Sequence, residues 1–330
     1  MKKYHVYAMG NALVDMEFEV TDEFLAQRNI GKGVMTLVDE KRQIQLLAYL
    51  DHHKGRWASG GSAANTIIAL SHFGGDAYYS CKVADDESGK FYVGDLKAAG
   101  VDTNLDAGLF DGITGKCLVM ITPDAERTMN TFLGVSEEMS VDELSEQAIE
   151  DSEYVYLEGY SVTSPSARQA AIRAHTIARA NGVKTAMTFS DPSMVNFFRD
   201  GLAEMLGDGV DLLFCNETEA LGWTGAETID QAVEELEGIA RSFVITRGAD
   251  GALVHDGATI SKIAPNIVKA IDTNGAGDMF AGAFLYGITH GHCFADAGKI
   301  ASLASARVVS QFGPRLPAAA HRAILEEVTG

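Results

Sequence analysis

The stretch IDTNGAGDMF, Ile271 to Phe280, places two glycines and two aspartates between a β-branched apolar run and a long apolar one. Glycines let successive backbone N–H groups point into one concavity, and a following helix adds partial positive charge, so Gly275, Ala276 and Gly277 read as an anion cradle. Asp278 directly behind them admits two readings. One is an acidic residue in a helix's first turn. The other is a general base. A carboxylate beside an anion repels it, unless a hydroxyl sits between the two. The carboxylate then takes the hydroxyl proton while the N–H groups neutralise charge on the group attacked, which is the geometry of phosphoryl transfer to an alcohol.

Two further stretches carry suitable groups. In ASGGSAANTIIALSHFGG, Ala58 to Gly75, the pair Gly60 and Gly61 opens a helix, and Asn65 follows one turn in. The glycines permit close backbone approach to a ligand and Asn65 suits a hydroxyl; a glycine turn before an ordinary helical Asn is the other reading. GNALVD, Gly10 to Asp15, sets an amide, Asn11, four residues before a carboxylate, Asp15, at the end of the first strand, a spacing that brackets a diol. Familiar nucleotide loops fit poorly. Cys117 follows Gly115-Lys116 where a Walker A needs Ser or Thr, and Phe280 stands where a dinucleotide fingerprint needs its third glycine. His290-x-His292 beside Cys293 lacks a matching ligand pair and reads as a loop.

The elements that must hold these residues alternate along the chain. YVYLEGY reads as a buried strand, then a helix capped by Ser164 with Pro165 at its first position and Gly182 past its end, then VKTAMTFS, SMVNFFRDGLAEML, VDLLFCN, TIDQAVEELEGIA and RSFVITRG in turn. VDELSEQAIEDSE reads as a charged, solvated helix. This predicts an α/β fold with a doubly wound, mostly parallel sheet flanked by helices. Residues 16–40 and 105–133 break the pattern, the latter as a β-hairpin turning at TPDAE, and predict a small β lid. Residues 1–15, 41–104 and 134–330 make the large nucleotide- and substrate-binding domain. An extra antiparallel edge on the main sheet is the alternative for the lid strands. The four scattered cysteines fit reduced thiols. A formal net charge of −20 disfavours nucleic acid and anionic membrane as partners, and neither a membrane span nor a signal peptide is read, so a cytoplasmic location is expected.

GGSAANTIIAL and DTNGAGDMFAGAFL, in that order, resemble the two signatures of the PfkB/ribokinase family of carbohydrate and nucleoside kinases, LLFCNETEA its Asn-x-x-Glu motif, and VITRGADGALV its nucleotide-binding strands. GNALVD and ERTMNTFLG look most like the adenosine kinases within it. The resemblance implies a ribokinase-like fold and transfer from ATP to a primary hydroxyl of a ribosyl compound, adenosine first. A free sugar such as ribose or fructose is the alternative, and a non-catalytic nucleoside- or sugar-binding regulator the alternative of another class. It implies Asp278 as base, Gly275, Ala276 and Gly277 as anion hole, and Arg127 as a lid arginine. Asn11, Asp15, Gly60, Gly61, Asn65 and Tyr160 would hold the acceptor. Asn216 and Glu219 would organise Mg²⁺, Thr246, Gly248 and Asn274 would serve the nucleotide, and Asp272 would join a K⁺ site. Partners reduce to a small nucleoside or sugar, in a monomer or homodimer. Ser193 stands where adenosine kinases place an aromatic against the base; Phe197 or Phe132 would have to substitute.

Overall fold

The computed structural model describes every residue except Met1, Lys54, Ala125 and Gly330. Ala125 lies in the TPDAE turn, so that one position of the expected hairpin falls outside the described residues.

Among the described residues, the main sheet has nine strands: β1 (Tyr4–Met9), β5 (Ala77–Ser80), β6 (Val101–Thr103), β9 (Ser152–Glu158), β10 (Lys184–Thr188), β11 (Val210–Asn216), β12 (Ala240–Thr246), β13 (Ala252–His255) and β14 (Ile260–Ile263). Their spatial order is β14-β13-β12-β11-β10-β9-β1-β5-β6. All neighbours pair in parallel except β12–β13 and β13–β14. Strand side chains alternate between faces. Tyr154 and Tyr156 of β9 therefore join one core with Ile67, Phe280 and Ile300, while Val155 and Leu157 join another with Ala171, Leu202 and Leu236. Helices cover both faces, as the alternation predicted. Ser164 caps the helix Pro165–Ala180 by accepting from the Ala167 N–H, and Gly182 follows with φ +67°.

The chain leaves β1 for β5 and β6 on one side, and later fills β9 to β12 on the other. The order reverses at β1 and β9, and ligands of open α/β sheets bind beyond the carboxyl ends of strands at such a point.

A second, five-stranded sheet stands apart from the first. It has the order β3 (Met35–Leu37), β8 (Arg127–Gly134), β7 (Thr114–Ile121), β2 (Leu13–Glu19), β4 (Arg56–Gly60). The strand segments outside the alternation are therefore not an edge of the main sheet, and the hairpin is β7–β8. The second sheet also draws in Arg56–Gly60, which the sequence reading left with the larger unit. Local readings needed two further revisions. Thr21 caps a helix, Asp22–Gln27, inside the 16–40 segment that was expected to supply only lid strand. VDELSEQAIEDSE forms a one-turn 3₁₀ segment and a short helix, Glu146–Glu150; Glu143 is buried in a capping box on Ser140, not solvated.

Candidate active site

Glu158 ends β9 with no solvent exposure, between the end of β1 and the helix Ser62–Phe73. Its Oε1 accepts from the Asn11 N–H at 2.7 Å and its Oε2 from the Ala63 N–H at 2.8 Å. One carboxylate thus joins the loop that carries Asn11 to the start of the helix that carries Asn65. Burial raises its pKa to about 7, against the pull of the two backbone donors and with Asp278 adding repulsion. Nothing in the sequence reading assigned it a role; a single charge inside the apolar run YVYLEGY was the available signal.

Asp278 stands in the first turn of the helix Ala276–Thr289. Gly275 enters that helix at φ +74°, and a Cβ there would lie 2.5 Å from the Pro314 carbonyl oxygen, so the turn requires glycine. The Ala276 N–H is partly used by the Thr273 carbonyl at 3.3 Å. The first-turn amides of Gly277 and Asp278 precede any intrahelical acceptor. A Cβ on Gly277 would meet nothing within 4 Å, so the cradle opens to the cleft on that side. The Asp278 carboxylate accepts from Ser62 Oγ at 2.6 Å and Asn65 Nδ2 at 3.1 Å. Its desolvation raises the pKa to about 6, opposed by those two hydrogen bonds and by Arg315. Most Asp278 is therefore ionised at neutral pH, yet basic enough to take a proton.

Asp15 lies on β2 and is 8% exposed, and among the described residues its carboxylate accepts no hydrogen bond. Desolvation raises its pKa to about 7, with Arg315 and Arg127 lowering it and Glu17 and Asp278 raising it. Gly60 and Gly61 have steric reasons to be glycine. A Cβ on Gly60 would lie 2.4 Å from the Asp15 carboxylate, and Gly61, at φ +103°, would put one 2.1 Å from the Asn11 carbonyl oxygen. The space they leave is filled by the two acceptor candidates themselves.

Paired residues across the second sheet share a face. Asp15 pairs with Cys117 and Cys117 with Thr131, so Cys117, Val119, Ile121, Arg127 and Met129 lie on the Asp15 side. Cys117, Val119, Ile121 and Met129 form a small apolar cluster there. Phe132 pairs with Lys116, and Lys116 with Val14, which sits in the main core. Phe132 is thus on the opposite face and does not substitute for the aromatic missing at Ser193. Phe197 is 79% exposed. Tyr160 follows β9, with Asp191, Asp278, Glu158 and Glu219 all within electrostatic reach of its hydroxyl, whose pKa is raised chiefly by burial.

Arg127 extends from β8 to the loop before the cradle. Its Nη2 donates to the Asp272 carboxylate and lies 3.4 Å from Glu17 Oε1, while its buried Nη1 has no partner among the described residues. Asp272 also accepts from the Asn274 and Gly313 N–H groups at 3.0 and 2.7 Å. Both its oxygens are engaged and a guanidinium already neutralises it, which leaves little for a bound cation. Arg315, unassigned from sequence, donates from Nε to Asn65 Oδ1 at 2.9 Å and from Nη1 to Asp95 Oδ2 at 2.7 Å.

On the far side of Tyr160, Asn216 and Glu219 form a capping box. Asn216 Oδ1 accepts from the Glu219 N–H at 2.8 Å, and Glu219 accepts from the Asn216 N–H at 3.0 Å and from Asn216 Nδ2 at 2.7 Å. Desolvation raises the Glu219 pKa to about 7. Thr246 ends β12 and Gly248 turns at φ +55°, with open space where its Cβ would be. No group of three or more His, Cys, Asp or Glu among the described residues is placed to hold a metal ion, so an ion at Glu219 would depend on water and ligand oxygens. A wide surface cavity of about 760 Å³ lies at the amino ends of β9 to β12, remote from Asp278, and its Lys184, Arg241 and His255 are offset by Asp211, Glu237 and Asp256. No helix among the described residues is long and apolar enough to cross a membrane.

The model of the pfkB family carbohydrate kinases matches residues 39–320. The chain is 28% identical over 331 residues to an adenosine kinase of Saccharomyces cerevisiae, covering 94% of this chain and 96% of that protein. It is 28% identical over 266 residues to a 5-dehydro-2-deoxygluconokinase of Clostridium perfringens, covering 76% and 78%. Among solved structures it is similar to an adenosine kinase from Sinorhizobium meliloti, with TM-score 0.88, 35% identity and coverage of 97% and 99%. A probable sugar kinase protein from Rhizobium etli superposes with TM-score 0.90 and 32% identity, covering 99% and 100%.

Proposed function

The chain belongs to the pfkB family of carbohydrate kinases and is a kinase, and from that premise we propose that it transfers the γ-phosphoryl group of ATP to the 5′-hydroxyl of a nucleoside, adenosine first. The observation that carries this is Asp15: a nearly buried carboxylate with no donor, on the face that meets Asp278. No protein donor occupies those oxygens among the described residues, so they are open to a donor that arrives with the ligand. A vicinal diol supplies it and directs a primary hydroxyl toward Asp278.

The apolar cluster of Cys117, Val119, Ile121 and Met129 beside Asp15 supports a nucleoside over a free sugar, because a purine has a flat apolar surface to bury and ribose has none. The free-sugar reading draws on Ser193 in place of an aromatic and on the likeness to the Rhizobium etli protein.

Catalysis follows from the placement. Asp278 takes the acceptor O–H proton as the oxygen bonds to the γ-phosphorus, and the bond to the bridging oxygen breaks to release ADP. The Gly277 and Asp278 amides at the helix start neutralise charge on the transferred group. The unpartnered Nη1 of Arg127 suits the same charge, and the second sheet would act as a lid that excludes water. Mg²⁺ enters with the nucleotide as part of the substrate; Asn216 and Glu219 would meet its water shell, and Thr246, Gly248 and Asn274 the nucleotide side of the cleft. A pure binder would have no use for a carboxylate beside an anion cradle.

A panel of nucleosides and free sugars with Mg²⁺·ATP, read by ADP release, tests the reading. Adenosine should give the highest kcat/KM. Turnover confined to free sugars would reject the nucleoside assignment, and no turnover with any acceptor would reject the kinase site.

A further inference from the structure

Three consecutive residues between the helices Phe294–Val309 and Ala318–Thr329 touch three separate parts of the site. The Gly313 N–H donates to Asp272, Pro314 packs where a Cβ on Gly275 would fall, and Arg315 reaches Asn65. The Arg315 side chain is 16% exposed and spends four donor contacts inward. Nε donates to Asn65 Oδ1 at 2.9 Å, Nη1 to Ser59 Oγ at 2.9 Å and Asp95 Oδ2 at 2.7 Å, and Nη2 to the Ser59 carbonyl.

These contacts decide which way the Asn65 amide faces. An amide presents either a carbonyl oxygen or an NH₂ to a neighbour. With Oδ1 held by a guanidinium N–H, the NH₂ must face Asp278, as observed at 3.1 Å. The reversed amide would put its NH₂ against the guanidinium, donor against donor. It would also offer Oδ1 to Asp278, where it could accept a hydrogen bond only from the protonated acid. We propose that Arg315 is a positioning residue that locks Asn65 as a donor toward Asp278 and so holds that carboxylate in its proton-accepting form. The inference rests on the reading of Asp278 as the base.

The other groups around Asp278 make such a device necessary. Asp15 from β2 and Glu158 from β9 are carboxylates that interact with Asp278, and Tyr156 and Tyr160 add buried phenols. Asp278 raises the pKa of those two carboxylates in turn, while its own protonated form is favoured by burial. Ser62 donates to it and favours the ionised form, but its hydroxyl can turn to accept from the protonated acid, which the Asn65 NH₂ cannot. Among these groups, Arg315 brings positive charge and, through Asn65, a donor that cannot reverse.

The test is the pH dependence of kcat/KM with adenosine and Mg²⁺·ATP. Arg315→Met loses both lock and charge, and should move the acidic midpoint upward by about one unit. Arg315→Lys keeps the charge but cannot span Asn65, Ser59 and Asp95 together, and should move it upward by less. Asp95→Asn keeps the Asn65 contact and removes a negative charge, so its midpoint should stay or fall. If either folded Arg315 variant loses activity by one factor at every pH with an unmoved midpoint, Arg315 is only a brace and the proposal fails. An upward shift in Asp95→Asn equal to that of Arg315→Met would mark general disruption and overturn it too. Asp278→Asn separates the two claims. Native turnover in that variant overturns the base assignment and this inference together; an inactive Asp278→Asn beside unmoved Arg315 midpoints overturns this inference alone.

Discussion

Ser62 Oγ donates to Asp278 Oδ1 at 2.6 Å across a sequence separation of 216 residues. The bond joins the first turns of two helices, one from each signature stretch, and it fixes the carboxylate rotamer at the cradle. It also favours the ionised acid, against a burial that raises the pKa to about 6.

That value has a signed consequence. The reaction needs Asp278 ionised, so kcat/KM should fall as pH drops through about 6, by tenfold per unit once well below it. Ser62→Ala removes one donor to the carboxylate and should shift this limb upward by about half to one unit. A pH–rate profile of both proteins checks it; a limb that rises toward acid would contradict the base assignment.

Arg127 offers a second prediction. Its side chain is 11% exposed, and that of its partner Asp272 fully buried. Arg127→Ala should lower kcat by about 10²–10³ with a smaller change in the nucleoside KM, since charge at the phosphoryl group matters most in the transition state. It should also lower the melting temperature, because it leaves Asp272 buried without its counter-charge. Steady-state kinetics and a thermal melt separate the two effects. A change confined to KM would remove Arg127 from the phosphoryl side.

Asp15 and Gly61 together test how the acceptor pocket is built. Asp15→Ala should abolish nucleoside binding while leaving ATP binding measurable by calorimetry. Gly61→Ala should act through the backbone: its φ of +103° and a Cβ 2.1 Å from the Asn11 carbonyl force the loop to move. We expect a loss of about 2 kcal/mol or more in stability together with weakened acceptor binding. Normal binding in a stable Gly61→Ala protein would show that Asn11 and Gly61 need not be in register.

The relation between sequence and site depends on distance along the chain. Strand-helix alternation and the Ser164 and Pro165 start are local patterns, and the structure places them where the periodicity did. Asp278 and Asn65 were visible because each follows glycines that need a reason, and Asp15 because it stands four residues after an amide at a strand end. Arg315 was not visible: its partners Asn65, Ser59 and Asp95 lie 250, 256 and 220 residues away, and nothing in FGPRLP points to them. Phe132 was misjudged because its face depends on the pairing register of β7 and β8, which composition does not reveal.

Glu158 carries the last prediction. Its folded pKa of about 7 lies above the ordinary value of 4.5, so the folded state holds this proton more tightly than the unfolded chain. Between those values the folded protein binds more protons, and stability from this group is full below about 4.5 and lost as pH rises through about 7. The span is on the order of 3 kcal/mol. Other carboxylates act oppositely: hydrogen bonds to Thr114 and Gly89 help lower Asp86, and Lys32 lowers Asp124. The informative quantity is therefore a difference. Glu158→Gln cannot titrate, and its single side-chain oxygen cannot accept from both the Asn11 and Ala63 amides. It should be less stable than the native protein at about pH 5, where a protonated Glu158 still keeps an acceptor on each oxygen, by about 1–3 kcal/mol. The gap should narrow or reverse by about pH 8, where the native protein must bury a charge. Denaturant titrations of both proteins across that range decide it. A gap that widens steadily with pH would mean that the ionised carboxylate stabilises the junction of the Asn11 loop and the helix start, and that its pKa is not raised.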